Sequence, residues 1–282
     1  MSVHILHVSD LHTGTREDAK VEAALAGLIR RVAPELIVAS GDLTNRGRRA
    51  QHEHAHRFLT SLGPPVLAVP GNHDLPYTFP ARFTSPWAEF ERVWQTTEPT
   101  HSSAALQVVG LNSARPYRHQ GGALDEAQLR DASGRLGGAA EGAYRVAVLH
   151  HHMLGAPWRA TRKKPVSKRN EVLRSLVAAG ADLILAGHIH QAAVSERHEF
   201  EVVEGDVRAA VVSIAPGLGQ PRPSRLGEAR GLHVYEIGER TLTVSTHIWR
   251  GGDWGLTARR VFPRGLGLLD AAVLRAEALE QT

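Results

Sequence analysis

Residues 66–74 read Val-Leu-Ala-Val-Pro-Gly-Asn-His-Asp. An apolar run long enough for a short buried strand stops at Pro-Gly and delivers three polar side chains, Asn72, His73 and Asp74, into the following loop. The same arrangement recurs on both sides. Val3 to Ser9 runs into Asp10-Leu11-His12, and Leu36 to Ser40 into Gly41-Asp42-Leu43-Thr44. Further on, Arg145 to Leu149 runs into His150-His151-His152, and Leu183 to Ala186 into Gly187-His188-Ile189-His190. Between these runs lie stretches predicted to be helical, at Asp18–Val32, Arg46–Leu62, Asp125–Leu136 and Asn170–Ala179. The first shows helical spacing through Val21, Leu25, Leu28, Ile29 and Val32. Strand alternating with helix predicts an α/β sheet with parallel pairs and right-handed crossovers.

The rest of the chain is arranged around this frame. Residues 76–103 break the alternation and carry Tyr77, Phe79, Phe83, Trp87, Phe90 and Trp94; they read as an insertion with a helix near Pro86–Gln95. Ala104–Leu111 is a further strand, and Gly155–Arg169 a basic loop. After His190 the helices stop. Ala193–His198, Phe200–Val203, Val207–Ile214, Leu232–Ile237 and Thr241–Ile248 read as an antiparallel set forming the second sheet of a sandwich, with a Gly-, Pro- and Arg-rich loop at Pro216–Arg230. Leu268–Leu279 is predicted helical, so the expected organisation is one domain over 1–265 and a helical tail over 266–282.

Composition narrows the function classes. The 282 residues are 42% hydrophobic and 22% charged, an ordinary globular balance. No apolar run approaches the roughly 18 residues of a membrane span, so no membrane partner is expected. Cysteine is absent, which excludes disulfides, Cys-bound zinc and a Cys nucleophile. With an N-terminus that lacks signal-peptide features, this predicts a cytoplasmic protein. The formal charge of +4 suits a small anionic substrate and is too low to argue for nucleic acid as a partner.

The placement of polar residues points to metal chemistry. In open α/β sheets the carboxyl ends of parallel strands face one crevice, so loops distant in sequence converge there. Glycine before Asp42, Asn72 and His188 lets the chain turn sharply after each strand. Carboxylate and imidazole together suit divalent Mn, Fe or Zn. Two such ions, about 3.5–4 Å apart, clamp a phosphoryl group and activate a bridging hydroxide. The pair needs one anionic bridge and different ligands on each ion. Asp10-x-His12 places two ligands on the same side of the chain, and His188-x-His190 repeats this at another strand end.

Taken in order, the five motifs over residues 3–190 resemble the calcineurin-like metallophosphoesterases. The resemblance implies a four-layer α/β-β/α sandwich of two mixed sheets flanked by helices. It also implies roles: Asp10, His12 and His190 on a first metal, Asp42 as bridge, Asn72, His188 and one histidine of the 150–152 run on a second. The family often has His-His-Pro where this chain has His150-His151-His152-Met153; His150, the first polar position, is assigned and His151 is the alternate. His73 would stand at the leaving-group oxygen as proton donor or transition-state stabiliser, with Asp74 orienting it. The implied activity is hydrolysis of a small phosphodiester by a metal-bridging hydroxide. Within the superfamily the chain looks similar to the bacterial cyclic-nucleotide and glycerophosphodiester branch, with a cyclic nucleotide such as cAMP as the expected substrate. Three rivals remain: a phosphomonoesterase or protein phosphatase, a DNA nuclease and a non-catalytic scaffold. Arg46 and Gly47 match the phosphatase pattern, but Asp74 stands where phosphatases carry Glu.

Histidine is abundant, at 17 residues, and the others read as structural. His4 and His7 alternate with apolar residues in a strand and are expected to point outward or to be internally satisfied. His52, His54 and His56 cannot share one helical face and are expected to be solvated. His233 and His247 lie in late strands. The basic loop is expected to be solvated, with phosphate contact as the alternative. The aromatics of the insertion are expected to pack rather than to stack on a base.

Overall fold

The computed structural model describes residues 2–14, 19–153, 163–190, 200–204, 209–219 and 230–264. The first half runs β1 (Val3–Val8), α1 (Ala19–Val32), β2 (Leu36–Ala39), α2 (Arg49–Ser61) and β3 (Val66–Ala68). The insertion holds α3 (Ala81–Thr84), α4 (Ala88–Trp94) and β4 (Thr100–Ser102). The second half runs β5 (Leu106–Gly110), α5 (Glu126–Gly137), β6 (Tyr144–Val148), α6 (Arg169–Ala178), β7 (Leu183–Ala186), β8 (Phe200–Glu204) and β9 (Ala209–Ile214), then β10 (Gly231–Ile237), β11 (Thr241–Trp249) and β12 (Trp254–Pro263).

Two six-stranded sheets result, β12-β11-β10-β1-β2-β3 and β4-β5-β6-β7-β9-β8. The strand cores β1-β2-β3 and β5-β6-β7-β9 are parallel, and the strands that flank them are antiparallel, so both sheets are mixed. Three apolar layers follow from the two-residue period of a strand. Ile5, Val38, Val146 and Leu185 point between the sheets. Leu6, Ile37 and Ala39 point the other way, onto Leu25, Leu28 and Leu59 of α1 and α2. Val109, Ala147 and Ile184 meet Ala132, Leu136 and Leu176 of α5 and α6. A strand buried on both faces is apolar throughout, which is why these strands read as unbroken runs. The four-layer α/β-β/α sandwich is as expected.

The late strands do not form a sheet of their own. β10 pairs antiparallel with β1, in the register Val3↔Ile237, and carries β11 and β12 onto the first sheet. β9 pairs parallel with β7 and carries β8 onto the second. Left unpaired, the edges of β1 and β7 would bury backbone donors and acceptors without partners. Alternating apolarity marks a residue as strand but does not say which edge it will cover.

The end of the insertion is likewise more ordered than expected, because β4 pairs with β5. Its aromatics divide. Phe90 is buried against α2, whereas Tyr77, Phe79 and Phe83 are exposed. The expected strand at Ala193–His198, the tail over 266–282 and most of the basic loop lie outside the described residues. Among the described residues, no helix is long and apolar enough to cross a membrane.

Candidate metal centre

The loops leaving β1, β2, β3, β6 and β7 meet at one end of the sandwich. Those after β1 and β2 are joined by backbone bonds, Asp10 N–H to Gly41 O at 2.9 Å and His12 N–H to Asp42 O at 3.0 Å. Gly41 takes φ +89, and a Cβ there would lie 2.7 Å from both the Gly71 nitrogen and His150 Nδ1. Gly71 has no such φ; it supplies space, since a Cβ would stand 2.3 Å from Asp42 Oδ1. Five of the eight non-glycine residues at positive φ among the described residues are candidate ligands: Asp10, His12, Asp42, His188 and His190. Asp and His tolerate this region better than most side chains, yet each still costs about 1–3 kcal/mol. Backbone strain is therefore concentrated where the ligands converge.

Two groups of donors form. Asp10, His12, Asp42 and His190 bring ligand atoms within 4.8 Å of one another, and Asp42, His150 and His188 do the same. Asp42 belongs to both. In the first group His190 Nε2 lies 2.9 Å from Asp10 Oδ1 and 3.1 Å from His12 Nε2. In the second, His150 Nε2 lies 3.4 Å from Asp42 Oδ1 and 3.1 Å from His188 Nδ1.

Surrounding groups turn each donor toward the centre. Asp10 Oδ2 accepts from Ser9 Oγ at 2.6 Å and His188 N–H at 2.9 Å, leaving Oδ1 facing inward. Asp42 Oδ1 accepts from His73 N–H at 2.8 Å. His150 Nδ1 donates to Ser40 O at 2.7 Å, which leaves Nε2 for a metal. His188 is reversed: Nε2 donates to Gln120 O at 3.2 Å, so Nδ1 faces the group. Asp42 Oδ2 and Asn72 Oδ1 are buried without a hydrogen-bond partner. Buried acceptors are rarely left this way, and two on loops braced together by Asp74 fit a divalent cation.

The electrostatics agree. Burial opposes charge on Asp10, but His190 and His150 outweigh it and hold the carboxyl well below its usual range. Burial likewise opposes charge on Asp42, and His150, His73 and His12 outweigh it. Burial pushes His12 and His188 down, so both are neutral and ready to donate a lone pair. His150 differs. Burial would lower it, but Asp42 and Asp10 prevail and push it up to about 9. Without metal it carries a proton.

His73 extends beside this centre, with its ring edge-on to His12 at 4.8 Å between centroids. Its Nδ1 lies 3.0 Å from Asn45 O and 2.9 Å from Tyr77 Oη. Asp74, expected to orient this ring, instead accepts from three backbone amides, Leu43 at 3.2 Å and Thr44 and Gly71 at 2.8 Å each. It braces the Asp42 and Asn72 loops against each other, and burial raises its pKa.

His151 and His152 are buried as well but fall in neither group; His151 Nδ1 meets Ser113 Oγ at 2.9 Å. Burial first, then Lys163, lowers His152 to about 3. Lys163, from the basic loop, is buried rather than solvated, and its charge also helps to hold His188 down. His7 is internally satisfied, 2.8 Å from Ser40 Oγ and 3.2 Å from Tyr235 Oη. His52 is not solvated: it is fully buried, with Nε2 3.1 Å from Asp74 O. The spacing His52, Ala55, Leu59 marks it as part of the inward face of α2. Ser9, Gln120 and Tyr77 carry no such signal, since their partners are remote in sequence or set by loop geometry.

Two sheets packed face to face, with Asp and His loops converging at the carboxyl ends of their parallel strands, define a metallophosphoesterase. The chain belongs to the calcineurin-like phosphoesterase family, whose sequence profile matches residues 3–192. It is a metal-dependent phosphoric ester hydrolase, and its buried Asp/His cluster has the donors to hold a divalent metal. It is 28% identical over 210 residues to a "probable cyclic nucleotide phosphodiesterase" of Synechococcus, covering 70% of this chain and 77% of that protein. It is 27% identical over 271 residues to the 3',5'-cyclic adenosine monophosphate phosphodiesterase CpdA of Pseudomonas aeruginosa, covering 86% and 90%. Among solved structures, a purple acid phosphatase from yellow lupin seeds shares the fold at TM-score 0.64 and 10% identity, covering 93% of this chain and 53% of that one.

Proposed function

We propose that the chain is a dinuclear phosphodiesterase acting on a small diester, with a cyclic nucleotide such as cAMP as the leading substrate. The observation that carries the dinuclear reading is Asp42, whose carboxylate belongs to both donor groups. Asp10, His12, Asp42 and His190 would hold one ion; Asp42, Asn72, His150 and His188 would hold the other. Mn, Fe and Zn all suit this donor set. When bound, such a pair supplies Lewis acidity and a nucleophilic water.

The residues of the chain supply the remainder. Ser9, Ser40 and Gln120 fix donor orientation through the contacts above. Asp74 holds the bridging loop against the Asn72 loop. His73, beside the centre, attends the leaving-group oxygen. The diester reading is supported by the two cyclic-nucleotide relatives, which match over most of their length.

Substituting Asp42 or Asn72 with Ala is expected to abolish metal-dependent hydrolysis of bis(p-nitrophenyl) phosphate, and Asp42→Ala to lower metal stoichiometry as well. Wild-type turnover in both variants would refute the site. A panel of cyclic nucleotides and small diesters, assayed after chelation and reloading with Mn, Fe or Zn, tests the substrate. Equal rates across that panel would refute a dedicated cyclic-nucleotide role.

A further inference from the structure

We propose that Tyr77 is a positioning residue for His73, its hydroxyl acting with the Asn45 carbonyl to hold Nδ1 so that Nε2 is presented to the leaving-group oxygen. The proposal rests on the reading above, in which His73 attends that oxygen. An imidazole that delivers a proton from one nitrogen must be held at the other, or rotation about its side chain disperses it. The neighbouring carboxylate of Asp74 does not do this, because backbone amides occupy it. Asn45 O can only accept, so it keeps a proton on Nδ1. Tyr77 Oη, at 2.9 Å from the same nitrogen, accepts a share of that proton, so the Nδ1–H is held in a three-centre bond between the Asn45 carbonyl and the Tyr77 hydroxyl.

Tyr77 is 43% exposed, so core packing does not account for its position. The segment that carries it is braced. Arg82, buried, donates from Nη1 to Pro76 O at 3.2 Å and from Nε to Pro116 O at 2.7 Å. Pro76 directly precedes Tyr77, and the segment tied to it carries His119, whose ring lies edge-on to Tyr77 at 6.0 Å between centroids. Arg82 and His119 thus brace the segment and the ring from which the hydroxyl reaches His73.

Hydrolysis converts diester and water into monoester and alcohol. The P–O bond to the leaving group breaks with its electron pair on the leaving oxygen, which takes the proton from Nε2. Water supplies the oxygen of the new P–O bond and returns a proton to solvent. A nitrophenolate leaves without that proton, whereas a phenolate depends on it more heavily. Bis(p-nitrophenyl) phosphate and diphenyl phosphate, alike in charge and shape, isolate this difference.

Wild type, Tyr77→Phe and His73→Gln, matched for metal content, would be compared on both substrates. In Tyr77→Phe, kcat on diphenyl phosphate is expected to fall about fivefold, the scale of one lost hydrogen bond, with KM unchanged and less than about a twofold change on the nitrophenyl ester. Equal losses on both substrates, or no loss on either, would overturn the role of Tyr77. If His73→Gln loses diphenyl phosphate selectively while Tyr77→Phe does not, the proposal falls and the role of His73 stands. If His73→Gln shows no leaving-group selectivity, the leaving-oxygen role of His73 falls and the role of Tyr77 falls with it.

Discussion

At the scale of single residues, the proposed ligand His150 would link protonation to metal capture. Its pKa of about 9 in the metal-free protein lies above its unfolded value of about 6.5. The stabilisation it contributes is therefore complete below about pH 6.5 and is lost as pH rises through about 9. As a ligand, His150 would have to give up that proton, so loading near pH 7.5 is expected to release about one proton from this side chain. Calorimetric titration of the chelated protein with Mn or Zn, in buffers of different ionisation enthalpy, measures the release. A heat independent of buffer would contradict it. The residues of the two donor groups were legible in sequence because each follows an apolar run, and a polar residue there has few reasons to be buried. Of His150, His151 and His152, His150 is the one that falls in a donor group. Asp74 misled, because a carboxylate adjacent to His73 in sequence faces the opposite loop.

At the scale of elements, α5 carries a signal that sequence and structure share. Asp125 accepts from Gln128 N–H at 2.9 Å, and Gln128 Oε1 accepts from Asp125 N–H at 3.1 Å, a reciprocal cap. Asp125→Ala is expected to lower unfolding free energy by about 1 kcal/mol and to leave turnover unchanged. Urea titration beside an activity assay checks both. A loss of activity at unchanged stability would show that α5 does more than cover the second sheet. Helices and parallel strands were readable because each carries its period within itself. The allocation of β8 to β12 was not, because Val234 and Tyr235 read alike in either sheet while their burial depends on β1 lying beside them.

At the scale of the whole molecule, burial of neutral histidines sets the acid limit. His233, held by Ile214 O at 3.0 Å and Thr246 Oγ1 at 3.1 Å, is lowered to about 4, chiefly by burial. A base depressed in the fold stabilises it above the unfolded pKa of about 6.5, and that contribution is lost as pH falls through about 4. Stability should therefore fall with pH across this window, by up to about 1.4 kcal/mol per pH unit for each such histidine. His233→Gln is expected to flatten that slope by about one proton, measured by urea unfolding of the chelated protein from pH 7 to pH 4.5. An unchanged slope would remove His233 from the account. His7 and His151 act in the same direction, also lowered by burial.

The two donor groups draw on both sheets, and Asp10 meets the amide of His188 across 178 residues of sequence. One group requires His190 and the other His188. A chain emerging from the ribosome thus completes neither set until its last ligands have been made and both sheets have docked. On the proposed ligand set, hydrolytic power would arrive only with the finished architecture, and a fragment ending before residue 188 would be catalytically mute.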